Sequence, residues 1–340
     1  MRGAILTLMT TGIGAVCLSL PLVLQEAGFL LGLAIIQITG LVSLMAMHSV
    51  AKATHRTGIA EYLEVCEHLL GHTPARIVAV LVVIFTMEHL LLYEIMVARL
   101  FFDIFPGLFQ YRTSIILYYN ILILLQLSLM KTLKALKFVT CLSFIGLGYI
   151  TLVLGIELPH NPELANIDQI EYAKWGTGIF TGMSICMVSF ICPTNVGPVH
   201  KELQFATRRR MKRINHTIIA IEQIMYTVLA VVGYLSTISS TPEVITERPF
   251  AGKSDFLMTM GKAIMCLALL VDIPTFIPHC SSSIETLLHW HETHVLHVPL
   301  TALIMFVPVL FTIINLDLGF MFSLIAAQAT WFFYFIPGMH

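Results

Sequence analysis

Ten apolar stretches follow one another along this chain, separated by short polar connections. They cover about 3–26, 28–52, 76–102, 113–131, 136–156, 175–200, 214–238, 255–280, 297–315 and 317–338. Most reach the roughly 20 residues that a helix needs to cross a bilayer. Gly28, Gly71, Pro106, Pro159 and Pro242 punctuate the connections or the ends of the runs. The pattern predicts an all-α polytopic membrane protein, with 1–340 forming one transmembrane domain. The opening run is longer than a signal-peptide core and lacks an A-x-A-like cleavage site, so it is read as the first span.

Two runs contain residues that oppose a continuous helix. The first reads Thr10-Thr11-Gly12-Ile13-Gly14-Ala15 and then Pro21. The sixth reads Phe190-Ile191-Cys192-Pro193-Thr194-Asn195-Val196-Gly197-Pro198. Glycine weakens a helix interior, and proline removes a backbone donor and clashes with the preceding turn. Unwound backbone at membrane depth survives where it is buried in protein or lines a cavity. The first and sixth of ten spans hold matching places in two halves of five, about 3–156 and 175–338. That pairing points to an inverted-repeat transporter, although no residue-level repeat is visible. Close helix packing is the competing explanation for the glycines in the first span.

Composition agrees with the pattern. Mean hydropathy is +0.86, and 11% of residues are charged, against roughly 25% in soluble domains. The net charge of −1 carries no signal for nucleic acid. Basic residues set an orientation. With the N-terminus in the cytoplasm, 13 of the 19 Lys and Arg residues fall on the inner side, and 201–213 dominates them. Contact with lipid headgroups is the simplest role for that cluster. Asn215-His216-Thr217 fits the glycosylation pattern but falls on the inner side, where it stays unmodified. The seven cysteines form no CxxC, and no structural disulfide is expected.

A few polar groups interrupt the apolar runs. Asp272, in Asp272-Ile273-Pro274-Thr275, lies deep in the eighth span, where an acid is costly and usually serves ion or proton traffic. Lys262, ten positions earlier on the same helix, is roughly 15 Å away and too far to pair with it. The third span holds Glu88, His89, Glu94 and Arg99. Glu88 is central and suits a proton relay, a substrate amine or a structural partner on another helix. Arg99 lies near the outer end, where a snorkelling side chain suffices. Glu222 is placed closer to the cytoplasmic interface. His289, His291, His294 and His297, with Glu285 and Glu292, match no firm metal spacing and read as an interfacial segment. There is no GxxxxGK[ST], HExxH or GxSxG, which argues against a built-in ATPase or an intramembrane hydrolase. The expectation is a protein that is not an enzyme and has no organic cofactor or metal.

The residues at the two breaks are similar to a known family. Gly14-Ala15-Val16-Cys17-Leu18-Ser19-Leu20-Pro21, followed by Gln25-Glu26-Ala27-Gly28-Phe29, resembles the opening of the amino acid/auxin permease family. So does Phe190 to Pro198 with Glu202-Leu203 and the basic run after it, and so does Ile273-Pro274 with Pro278 and Ser283-Ile284. The matches keep their order over nearly the whole chain. The resemblance is compatible with the sodium-coupled neutral amino acid transporter branch of that family.

The resemblance implies a leucine-transporter-like fold of two inverted five-helix repeats, with a site between helices 1, 3, 6 and 8. It implies secondary active amino acid transport by alternating access, coupled to a proton or sodium gradient. Carried over to this sequence, it places substrate binding at Thr11, Gly12, Ile13, Gly14, Ala15, Val16, Phe190, Ile191, Cys192, Thr194 and Asn195, with Glu88 added from the third span. It places the coupling ion, Na+ or H+, at Thr10, Ile13, Asp272 and Thr275. The chain departs from the family at Val16, where a second glycine is usual, and at Pro193, where histidine is usual. Sodium-coupled relatives favour Asn at Thr10 and Thr at Asp272, which tilts the expectation toward a proton. The family's eleventh helix is missing, so the chain is expected to be a fragment or a reduced member. The expected partners are an amino acid and the lipid bilayer, with no nucleic acid, and the chain acts as a monomer. The expected location is the plasma membrane or a vacuolar or lysosomal membrane. An amino-acid sensor with little flux, or a truncated nonfunctional paralogue, stays open as the alternative.

Overall fold

The structure is a computed structural model that describes residues 13–59, 61–129, 136–191, 193, 196–203, 207–249, 255–288, 294–314 and 318–330. Every regular element among them is helical. Six segments are long and apolar enough to span a bilayer, and four shorter apolar helices accompany them, among the described residues. Large apolar side chains such as Ile38, Met45, Ile224, Leu310 and Ile314 lie on the outside of the bundle. That is where lipid would meet them.

The first span is broken where its sequence is weakest. Gly14 is extended (φ −123°, ψ −168°), and a tight 3-10 turn follows over Ala15–Ser19. Only then does helix α1 begin, over Leu20–Ala27, with Pro21 in its first turn. Proline is tolerated there because that amide has no partner within the helix. The sixth span breaks at the corresponding point. Helix α8 (Gly178–Ser189) stops at Phe190, whose φ/ψ of −98° and 27° leave the helical region. The chain resumes as helix α9 (Val196–Glu202).

The other spans are continuous or bent. They are α2 (Phe29–Thr57), α4 (His72–Ile104), α7 (Leu136–Glu157), α10 (Arg208–Leu235), α11 (Phe256–Leu288), α12 (His294–Ile314) and α13 (Leu318–Ala329). The fourth span is composite. It contains α5 (Arg112–Tyr119), a π-helical turn over Asn120–Leu124, and α6 (Leu125–Ser128). Between the second and third spans lies α3 (Tyr62–Leu70), which buries Val65 and Cys66. The sequence reading leaves Cys66 in a loop, because nine residues are too few for a membrane-length apolar window to register.

Two boundaries differ from expectation. The seventh span starts at Arg208, so the basic run 208–213 is helix, capped by Thr207, whose hydroxyl accepts from the Arg210 amide at 3.4 Å. The eighth span continues to Leu288 through Pro274 and Pro278. Neighbouring helices and polar side chains can satisfy the carbonyls that such prolines free.

Helix α11 packs most extensively on α4 and α7, α10 on α2 and α1, and α8 on α1 and α13. The two broken spans therefore sit inside the bundle. Ion pairs gather at the end of the bundle where α4 finishes and α11 begins. Arg99 Nη1 meets Glu243 Oε2 at 2.8 Å and Glu247 Oε1 at 3.8 Å, and Lys262 Nζ meets Asp103 Oδ2 at 2.5 Å. Arg99 is therefore paired rather than snorkelling. Arg248, whose side chain is fully buried, pairs with Glu157 and with Asp255. At the same end Gly28 has φ +87°, and a Cβ there would lie 2.8 Å from the Ala173 amide nitrogen. No residue but glycine fits that junction without strain.

Candidate functional site

The broken segment of the first span is fully enclosed. Ile13, Ala15, Cys17 and Leu18 are 0% exposed, and Val16 is 4% exposed. The wall facing it comes from α4. A Cβ on Gly14 would lie 2.1 Å from the Tyr93 hydroxyl, so glycine is required by space rather than by a left-handed backbone. The same hydroxyl lies in hydrogen-bonding contact with the Ala15 backbone. Tyr93 in turn meets Phe276 of α11 edge-on, with ring centroids 5.1 Å apart. One turn earlier on α4, His89 stacks on Phe85 at 4.2 Å and approaches Phe276 at 6.0 Å. An aromatic ridge thus joins the third and eighth spans beside the first-span break.

The second break is held by two side chains from other spans. Ser43 of α2 donates to the Phe190 carbonyl at 2.8 Å, and Tyr226 of α10 donates to the Ser189 carbonyl at 3.2 Å. Breaking α8 frees these carbonyls from helical partners, and an unsatisfied carbonyl away from water is costly. The rings of Phe190 and Tyr226 pack edge-on at 4.9 Å. Tyr226 also contacts Cys17, which lies near Glu222 of α10. Glu222 is fully buried on α10 and interacts electrostatically with Cys17 of the first-span segment.

Asp272 is buried at 4% exposure. Its Oδ2 accepts from Ser143 of α7 at 2.7 Å, while Oδ1 is buried without a hydrogen-bond partner among the described residues. The acid is close enough to Tyr93 to interact with it electrostatically. Thr275 bonds back to the Asp272 carbonyl at 2.6 Å, which turns its hydroxyl toward its own helix. Glu88 is a separate case. It leaves α4 about 100° around the helix from His89, and its Oε1 accepts from Gln328 of α13 at 2.7 Å. Glu94 accepts from Tyr119 at 2.6 Å and from Asn120 at 3.2 Å, where the fourth span widens into its π turn.

The structure thus brings Gly14 and Ala15 against α4 with Ile13 and Val16 buried beside them, gathers Phe190 and Ile191 at the second break, and sets Asp272 and Thr275 on α11. Glu88 is turned to α13. Thr10, Thr11, Gly12, Cys192, Thr194 and Asn195 lie outside the described residues, as do His289 and His291. Tyr93, Ser43, Tyr226 and Ser143 escape the sequence reading, because single hydroxyls in apolar runs give no signal until the fold supplies their partners. Asn215 of the glycosylation pattern is fully buried on α10. Among the described residues no group of three or more His, Cys, Asp or Glu is placed to hold a metal ion.

The model of a family described as transmembrane amino acid transporter protein matches residues 1–339. A Toxoplasma gondii protein named as an amino acid transporter is 24% identical over 304 residues, covering 84% of this chain and 40% of its own length. A Mus musculus protein named as sodium-coupled neutral amino acid transporter 11 is 23% identical, covering 80% of this chain and 61% of its own. A Xenopus laevis protein named as sodium-coupled neutral amino acid transporter 10 is 22% identical, covering 84% and 28%. The chain therefore spans between about a quarter and three-fifths of the length of these relatives.

Proposed function

The chain belongs to the transmembrane amino acid transporter protein family, and from that premise we propose that it moves an amino acid across a membrane by alternating access, coupled to a cation gradient. The observation that carries the reading is the pair of broken spans buried at the centre of the bundle. An amino acid has a carboxylate and an ammonium, and each needs partners once it leaves water. Unwound backbone at Ile13–Val16 offers amides at the start of a helical segment, which suit the carboxylate. The carbonyls at the second break, near Phe190 and Ile191, suit the ammonium, because the break takes them out of a regular helical ladder. Both substrate charges are then met without a buried protein charge in direct contact. Gly14 and Tyr93 set the width of the space beside the break.

Coupling is assigned to Asp272. A buried carboxylate with one oxygen on Ser143 and the other unpaired is a place for a cation. A proton or a sodium ion there would link α11 to the first-span break and to α7. The helices that carry the breaks, with α2 and α10 packed on them, would then rock against α4 and α11. The concentration of basic residues at 201–213 sets the N-terminus on the cytoplasmic side in this reading.

The test is uptake of radiolabelled amino acids into proteoliposomes holding the full chain, with imposed proton or sodium gradients. The expected result is gradient-stimulated accumulation of at least one amino acid. Saturable binding with no flux would favour a sensor. Neither binding nor flux from correctly folded protein would overturn the reading.

A further inference from the structure

Glu88 and Gln328 join α4 to α13 through one hydrogen bond, from Gln328 Nε2 to Glu88 Oε1 at 2.7 Å. Glu88 is 8% exposed. The remaining oxygen of each partner, Glu88 Oε2 and Gln328 Oε1, is buried with no hydrogen-bond partner among the described residues. Both are acceptors when the acid is ionised, so nothing in the pair can satisfy them. One proton on Glu88 changes that. A carboxylic acid and a primary amide close a ring of two hydrogen bonds, with amide N–H donating to the carbonyl oxygen and acid O–H donating to the amide oxygen. A single proton would satisfy both orphaned atoms.

We propose that Glu88 carries a proton in this conformation and shares it with Gln328 as a carboxyl–carboxamide latch between the third and tenth spans. The proton comes from water when the contact is open and returns to water when it opens again. Loss of the proton while the contact is closed leaves a charge and two facing acceptors with one donor between them, which drives α13 off α4. A metal ion is a poorer occupant, since two oxygens fall well short of the six or more that hard cations collect.

Among the described residues, no titratable side chain other than Glu88 is seen to bond Gln328. Helix α13 carries no titratable residue over Leu318–Ala329, α12 carries none from Val298 to Ile314, and α8 offers only Cys186. On α4 the titratable neighbours are His89, held to the Phe85 carbonyl at 2.9 Å, Tyr93, and Glu94, engaged by Tyr119 and Asn120. On α11, Asp272 is engaged by Ser143 and Lys262 by Asp103. Only Gln328 is seen to bond Glu88, among the described residues.

The proton is independent of transport, whereas its consequence for coupling rests on the transport reading. The test is infrared difference spectroscopy on the full chain in lipid nanodiscs at neutral pH, wild type against Glu88→Gln. Glutamine at 88 keeps both hydrogen bonds as an amide–amide pair, so the variant should fold. The expected difference is a protonated-carboxyl carbonyl band in the wild type that shifts in heavy water and persists in saturating sodium. Gln328→Leu should move or abolish that band, which gives a second reading if Glu88→Gln fails to fold. A folded state that binds one proton more than the unfolded state loses stability as pH rises. The wild type should therefore melt lower with increasing pH relative to Glu88→Gln. A difference spectrum showing only ionised carboxylate, a band removed by sodium, or a band indifferent to Gln328→Leu would overturn the assignment.

Discussion

At the scale of single residues, the centre of the molecule is set by close contacts between a missing side chain and an aromatic one. Gly14→Ala places a methyl group 2.1 Å from the Tyr93 hydroxyl. Overpacking of this kind costs about 1–3 kcal/mol. Thermal unfolding in detergent should show the loss, and Tyr93→Phe, which removes the offending oxygen, should restore most of it. A Gly14→Ala variant as stable as the wild type would show that the break relaxes freely. Asp272 is legible in the sequence because an acid in an apolar run stands out. Its partner Ser143, 129 positions away, is not. The same holds for Ser43, which reaches the Phe190 carbonyl across 147 positions. A serine in a membrane run more often bonds back to its own helix, as Ser128 does to the Leu124 carbonyl at 2.6 Å.

At the scale of elements, both broken spans are readable because glycine and proline act on the backbone locally, whatever the fold around them. Helix ends are less readable. Pro274 and Pro278 suggest an end that α11 does not have, since the surrounding helices, rather than the local sequence, decide whether a proline's freed carbonyl is tolerated. The connections at the end of the bundle near Arg99 are not readable at all, because their order comes from charges distant in sequence. Arg99→Ala removes the contacts of 2.8 and 3.8 Å to Glu243 and Glu247. Cysteines introduced at the buried positions Ile245 and Thr246 should then react faster with a water-soluble thiol reagent. Unchanged reactivity would mean that these pairs do not hold the 3-10 turn over Ile245–Glu247 in place. Glu163 ties a second connection to the first, accepting from the Ser239 hydroxyl at 2.5 Å and its amide at 3.1 Å. These bonds hold its carboxyl below the usual carboxylate value. The tie is therefore complete at neutral pH and is lost as pH falls through and below the carboxylate range. The protection of the Ser239 amide, its exchange rate taken relative to the intrinsic rate at each pH, should fall over that window in the wild type, and Glu163→Gln should exchange faster at neutral pH.

At the scale of the whole molecule, an apolar bundle with two interrupted spans at its centre is what the hydropathy pattern implies. The family relationship supports an amino acid as the proposed cargo. Pocket shape is not legible from the sequence, because it depends on how α4, α8 and α11 approach one another. The account makes Asp272 the point where a cation gradient acts on the first-span break. The most direct test compares wild type and Asp272→Asn in proteoliposomes, in two assays on the same preparation. One is accumulation of labelled amino acid driven by a proton or sodium gradient, and the other is exchange of amino acid without a gradient. Asparagine can still accept from Ser143, so the fold and the break are retained. In Asp272→Asn, accumulation should fall to the level of passive equilibration while exchange persists. Accumulation by Asp272→Asn equal to that of the wild type, under either gradient, would contradict it.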